Sequence, residues 1–392
     1  MAMIPALAAT ASVMTGTLNN PPQLWSSDGN PGWNGTGVPD AQGALAEFIT
    51  VGTVTNDLPY AVTVGTISFH AVKPNGDRAI AAGSGGIILD FDGEGPGMAI
   101  VSNNTPSRLI FNTQTASTSG VMAYDDLLLV NTGSSSSTYS ISLTARLRAF
   151  KNVYIDNISS DTLIAPINLG APANSIDGNI HILRGSATST TSTFGNAGTI
   201  VYLGSTGNGA ASWMVTGSSG TIPNPIIAAF DAGGKLILGA SYTGNGVMAF
   251  TGALTLNGDL SVTSSHLAPG CTRFTGQIHG TGTLIKIGAG AVKIEAANIY
   301  SGGTVIEEGT LIALNASALG SGTLEIKNGA ALQLDTAVMT VDSLRINGKP
   351  QPAGTYGSSN SDAQYTDDVY FAGTGTLEVL NGVPLQTLMI IK

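Results

Sequence analysis

Carboxylates in alternating or paired positions are the first places to look for chemistry in this chain. Asp90, Asp92 and Glu94 alternate, so on a strand they would share one face and could offer oxygens to a calcium ion. The glycines at 93 and 95 fit a solvated turn as well. Asp125-Asp126, Glu307-Glu308 and Asp367-Asp368 are adjacent acids, the groups that polysaccharide hydrolases and lyases bring together across neighbouring turns of chain. Their spacing brings no two pairs to one groove, and they read as polar breaks and turns. His70, His181, His266 and His279 are scattered, without metal-ligand spacing or a Ser/His/Asp arrangement. Cys271 is the single cysteine. An internal disulfide is therefore excluded, and without a nearby His the thiol reads as a small buried apolar group. Gly83-Ser84-Gly85-Gly86 and Gly302-Gly303 lack the Lys-Ser/Thr that follows in a phosphate loop. Arg146, Arg148 and Lys151 form the one basic cluster, which either mates with an acidic neighbour or faces solvent. The expectation is a chain that is not an enzyme, with no catalytic residue, cofactor or metal.

Composition narrows the classes further. Of 392 residues only 10% are charged, against roughly 25% in ordinary globular proteins. The formal net charge is −10, which removes electrostatic support for a nucleic-acid partner. No apolar run approaches the ~18 residues of a membrane-spanning helix. A surface so poor in charge is weakly defended against self-association.

The elements that must position these side chains are short. Leu284, Ile285 and Ile287, then Val292 and Ile294, Val305 and Ile306, Leu311, Ile312 and Leu314, Leu324 and Ile326, and Leu332 and Leu334 fall in brief alternating runs separated by Gly, Asn and Ser. Runs of this length bury their apolar face only when the next turn of chain stacks on them. Within 282–334 the sequence reads Gly282-Thr283-Leu284, Lys286, Gly288, Gly290, then Asn298-Ile299-Tyr300-Ser301-Gly302-Gly303-Thr304, Gly309-Thr310-Leu311 and Ala318-Leu319-Gly320-Ser321-Gly322-Thr323-Leu324. This segment resembles the autotransporter-associated β-strand repeat, or passenger-associated transport repeat, of bacterial secreted β-helices. Trp25, Trp33, Pro39, Phe48 and Val64 to Phe69 resemble the family's N-terminal segment, and Leu344 to Gly348, Ala353 to Gly357 and Gly373 to Val379 its closing module. The family's C-terminal translocator barrel has no match within these residues.

The resemblance implies an all-β fold, a right-handed parallel β-helix (β-solenoid) with an N-terminal aromatic cap and a small C-terminal closing module. The cap would be built from Trp25, Trp33, Phe48 and Phe69, although paired tryptophans could also stack on sugar rings. The expected organisation is an apolar arm over 1–22, a cap region over 23–80 and a solenoid over 81–334. A C-terminal module over 335–379 and an apolar tail over 380–392 follow.

Both ends are nearly uncharged, and a signal peptide would need a longer apolar core than Ile4 to Ala8. Such tails either fold back on their own chain or add to a neighbour's sheet. The second possibility makes Ile4, Leu7, Val13, Met14, Leu385, Leu388, Met389, Ile390 and Ile391 the expected assembly residues of a head-to-tail homopolymer. The functional expectation is an extracellular, cell-surface structural protein forming a fibre or sheath. The alternatives are a monomeric surface adhesin that binds glycans through exposed aromatics such as Trp213, and a polysaccharide lyase or hydrolase.

Overall fold

The computed structural model describes residues 11–15, 23–24, 32–33, 38–49, 53–55, 57–70, 78–81, 86–90, 97–105, 108–112, 120–133, 140–158, 166–170, 174–190, 194–335 and 338–383. Among these every regular element is a strand and none is a helix. The chain divides into two compact units, the first comprising Met1–Thr190 and Phe194–Val201, the second Thr191–Thr193 and Tyr202–Lys392. Each is a parallel solenoid, because strands of mostly three to seven residues hide an apolar side only by stacking on the coils before and after them.

In the first unit each coil contributes strands to three faces. One face stacks Leu45–Ile49, Thr66–His70, Met98–Asn104, Asp126–Asn131, Val153–Asn157 and the start of Ile180–Ser189, all parallel. A second stacks Thr53–Thr55, Arg78–Ala81, Leu109–Asn112, Ile141–Leu143, Ile167–Leu169 and the end of Ile180–Ser189. The third runs from Val62–Val64 through Ile87–Leu89, Val121–Ala123 and Leu147–Ala149 to Ser175–Ile176. Alternation in each strand sends one set of side chains inward, as with buried Leu127, Leu129, Val153 and Ile155.

One interior row changes character along its length. Phe48 lies over Phe69 with ring centroids 4.5 Å apart. Asn103, Asn131 and Asn157 follow in register and are also buried. Two of the expected cap residues, Phe48 and Phe69, are therefore core residues of successive coils. Trp33 lies in Gly32–Trp33, which runs antiparallel to Ala11–Thr15; Trp25 falls outside the described residues. Parallel coil pairing already begins at Leu45, within the segment read as a cap region over 23–80.

The strand Ala11–Thr15 contains Val13 and Met14. It pairs in parallel with the chain's own Leu45–Ile49 through five residue pairs. Both of its edges thus have a partner within the chain, over part of its length on the Gly32–Trp33 side. Ile4, Leu7, Leu385, Leu388, Met389, Ile390 and Ile391 lie outside the described residues.

The second unit starts with three-stranded coils and simplifies. One face stacks Gly209–Val215, Gly233–Ala240, Leu260–Ser264, Leu284–Lys286, Thr304–Ile306, Leu324–Ile326 and Leu344–Ile346. A second runs Gly220–Ile222, Val247–Phe250, Cys271–Phe274, Val292–Ile294, Gly309–Ala313, Ala330–Leu334 and Phe371–Gly373. The third, with Ile226–Ala228, Leu254–Leu256 and Ile278–Gly280, ends there. Beyond it a turn replaces the strand. Equivalent positions, 24 residues apart at Thr255 and His279, become 20 apart at Asn298 and Ala318. At the end, Lys349–Pro350 runs antiparallel to Leu344–Ile346. A small sheet also forms from Val338–Val341, Thr376–Val379, Gly354–Gly357 and Tyr365–Thr366.

Candidate functional site

The repeat signature is structural machinery. Asn298 links three coils: its Oδ1 accepts the Ile278 N–H at 2.8 Å and its Nδ2 donates to the Ala318 carbonyl at 2.8 Å. Tyr300 is fully buried, with its hydroxyl 2.6 Å from Thr304 Oγ1, which donates to the Leu319 carbonyl at 3.0 Å. That burial drives the phenol pKa well above its ordinary value. Lys286 occupies an inward row between Val262 and Ile306. Its ammonium donates to the carbonyls of Ile287 at 3.0 Å, Gly288 at 2.5 Å and Glu308 at 2.8 Å. Burial pushes the Lys286 pKa down to about 8, with the Glu308 charge opposing.

The acids and bases singled out above are likewise used locally. Asp125, wholly buried, pairs with Lys151 at 3.1 Å. Asp126 Oδ1 accepts the Asn152 N–H, Asn152 Oδ1 that of Asn179, and Asn179 Oδ1 that of Ile200, a ladder at the edge of one face. Arg148 holds Asp177 through two bonds of 2.7 and 2.6 Å and lies 4.6 Å from the Phe150 ring centre. Two members of the basic cluster thus have acidic partners within the chain, and Arg146 is exposed.

Glu307 is held below the ordinary carboxylate pKa chiefly by the bond from Lys327. Asp367 and Asp368 accept the N–H groups of Val369 and Ser359. Asp90 accepts from Gln42 Nε2 at 3.0 Å; Asp92 and Glu94 lie outside the described residues. Among the described residues no group of three His, Cys, Asp or Glu side chains is placed to hold a metal ion. Cys271 is buried, and desolvation raises its pKa despite nearby Lys293 and Arg273. His70 meets Glu47 at 2.9 Å, His266 sits beside Ser264 and the Ser218 carbonyl, and His279 contacts Thr255. His181 stacks on Tyr154, and burial lowers its pKa.

Trp213 corrects an expectation. It is fully buried, edge-on to Phe250 at 5.9 Å, because its place in Gly209–Val215 is an inward one. Sequence reading also missed the amides of the first unit. Asn103 Nδ2 donates to Asn131 Oδ1 at 3.2 Å, and Asn131 Nδ2 to Asn157 Oδ1 at 2.9 Å. The recurrence of Asn at these positions, 28 and 26 residues apart, was the available signal. Asn103 and Asn157 each open an Asn-x-Ser/Thr triplet in the sequence, and both are buried members of this ladder.

A cleft of about 580 Å³ lies in the second unit. It lies at the corner following Ile226–Ala228, with Phe230, Asp231, Asn257, Asp259 and Thr281 around it. Gly233, Gly234, Gly258 and Gly282 add bare backbone to its lining. A Cβ on Gly282 would stand 2.1 Å from the Gly258 carbonyl oxygen, so successive coils touch main chain to main chain. Phe230 is 69% exposed. Its backbone is held by Thr206 Oγ1, which donates to the Phe230 carbonyl at 3.1 Å, and by Gly207 N, which donates to the Asp231 carbonyl at 2.9 Å. Asp231 adopts φ +45°, a left-handed conformation that Asp tolerates better than most residues. Asp259 Oδ1 accepts the Thr283 N–H at 2.8 Å.

Among the described residues, Asp259 Oδ2 and the Asp231 carboxylate have no protein partner, and no basic side chain lines the cleft. Elsewhere the exposed pair Tyr124 and Phe150 stack on each other at 4.9 Å and Arg148 covers Phe150. Among the described residues Phe230 has no such cover.

Part of this sequence is similar to a stretch of a much longer protein. Over 106 residues the chain is 40% identical to a protein described as "Adhesin BmaC autotransporter" from Brucella suis biovar 1 (strain 1330), a match covering 26% of this chain. The matched stretch is 3% of that protein's length. No family model matches the chain, and no solved structure matches it.

Proposed function

We propose that this chain is a length of surface-displayed β-solenoid passenger of the adhesin type, working by presenting its outer side chains to a partner and catalysing nothing. The match to the Brucella adhesin carries this reading. Physical support comes from the arrangement of the side chains. Asp125, Asp126, Glu307, Asp367 and Asp368, the described members of the acidic pairs with assigned bonds, join coils or close turns, and a stack of parallel coils offers outward rows of side chains at fixed spacing. A right-handed coil with aromatic closure near Phe48 belongs to the same reading, as do an extracellular location and the absence of nucleic-acid partners. No helix among the described residues is long and apolar enough to cross a membrane.

The test is display of the chain on a non-adherent bacterium behind a heterologous translocator, with counts of cells retained on epithelial and matrix-coated surfaces. Retention well above that of the translocator alone is expected. Equal counts at verified surface levels would remove the reading.

A second reading is self-assembly. Ala11–Thr15 adds in parallel register to the chain's own Leu45–Ile49, and exchange of that strand onto another copy would link chains. It predicts fibres in electron micrographs of the purified chain that vanish when residues 1–15 are deleted.

A further inference from the structure

We infer that the cleft at Phe230, Asp231 and Asp259 is a carbohydrate-binding site that accepts an uncharged pyranose unit or a short neutral glycan; the inference rests on the adhesin reading and gives it a place and a ligand class. Three features of the cleft select this chemistry. An exposed aromatic ring with no stacked neighbour among the described residues offers an apolar face, which matches the C–H face of a sugar ring. The free oxygens of Asp231 and Asp259 accept hydrogen bonds from hydroxyl groups, and Asn257 and Thr281 add further polar groups at the rim. Gly233, Gly234, Gly258 and Gly282 contribute only backbone to the lining, so a ring can lie against main chain there.

A volume of about 580 Å³ suits a small ligand. The two carboxylates, with no lining cation, disfavour phosphate, sulfate, uronate and nucleic acid. A cationic peptide would use the same carboxylates, but its attraction would collapse in salt, which a stack-and-hydroxyl contact would not.

The experiment is binding of the full chain to a panel of immobilised neutral oligosaccharides built from hexoses and N-acetylhexosamines, at low and high salt. Retention of at least one panel member is expected, with little change in salt. Phe230→Ala should weaken it about tenfold or more, as loss of a central aromatic anchor does, and Phe230→Trp should keep it. Asp231→Asn and Asp259→Asn should each weaken it several-fold while leaving the fold intact. Asn also accepts the left-handed backbone at 231 and can keep the bond to Thr283 N.

No retained glycan, or retention untouched by Phe230→Ala, would overturn the inference. So would capture only of cationic peptides with loss at high salt, or a Phe230→Ala effect confined to oligomeric state. Displayed cells that still adhere while carrying Phe230→Ala, with no glycan retained by the wild type, would sink the cleft and spare the adhesin reading. Glycan retention without cell adhesion would do the reverse.

Discussion

The two units solve the same problem with different chemistry. A stacked coil must satisfy its backbone polar groups wherever it turns a corner. The first unit does this with side chains: inside, the Asn103, Asn131 and Asn157 amides bond one another and the carbonyls of Gly133 and Ser140. At the edge, Asp126, Asn152 and Asn179 each accept a backbone N–H from the next coil. Its coils vary in length, with paired positions 21 residues apart at Leu45 and Thr66, 34 apart at Thr66 and Ile100, and 26 to 28 apart along the amide ladders. The second unit removes side chains from its corners instead. Gly252 over Gly276, and Gly258 over Gly282 over Gly302, bring main chain against main chain, and the repeat tightens from 24 to 20 residues. Amide ladders join coils of unequal length because a side chain can reach; bare corners hold main chain against main chain, at a step of 24 residues and then 20. The short recurring step is what makes a repeat visible in a sequence.

The sharpest way to break this contrast is at a bare corner. Gly282→Val places a Cβ 2.1 Å from a backbone oxygen, so the coils must part. A loss of roughly 4 kcal/mol is expected in denaturant unfolding followed by second-unit probes such as Trp213 fluorescence. Ordinary stability for this variant would show that the glycine stack does not set the step.

Next in size is Asn131→Ala, which removes the middle rung and leaves buried polar atoms on Asn103 and Asn157 without that partner. A loss of about 2–3 kcal/mol is expected, confined to first-unit amides in hydrogen exchange. An effect spread evenly over both units would erase the distinction drawn here.

Lys286→Met sharpens the comparison through pH. The Lys286 pKa is about 8 when folded, against an ordinary value of 10.5. Between these values the unfolded chain holds a proton that the folded chain has released. Wild-type stability therefore gains as pH rises through about 8 to 10.5, by on the order of 1–3 kcal/mol relative to the Met variant. Parallel pH profiles for the two proteins would mean that the ammonium is not disfavoured by its site.

The smallest change is Asp177→Asn. Its ion pair with Arg148 is partly exposed on both sides, so a shift of about 0.5 kcal/mol or less is expected, fading in salt.

Periodicity, glycine spacing and the 282–334 motif disclosed stacked parallel strands before any coordinates, because a tight repeat forces the same residue types to recur at the same step. The motif positions Asn298 and Lys286 proved to be coil-to-coil fasteners, and Tyr300 a buried residue bonded to Thr304. The amide ladder was less legible: its rungs recur at unequal intervals and share their composition with ordinary turns.

Phe230 was illegible as a site. In the sequence it is one aromatic in a glycine-rich turn, and Trp213 looked like the better exposed candidate. Whether an aromatic faces in or out depends on strand register: Trp213 falls on an inward position and Phe230 on a corner between strands. The sequence by itself determined the short strands, the turns and the stacked repeat, which are local consequences of residue type and period. Only the tertiary structure decided which residues 24 positions apart meet across neighbouring coils. That meeting places Phe230 and Asp231 beside Asp259 and lays Gly282 on Gly258, because stacking register, unlike strand propensity, is set by contacts between distant turns of chain.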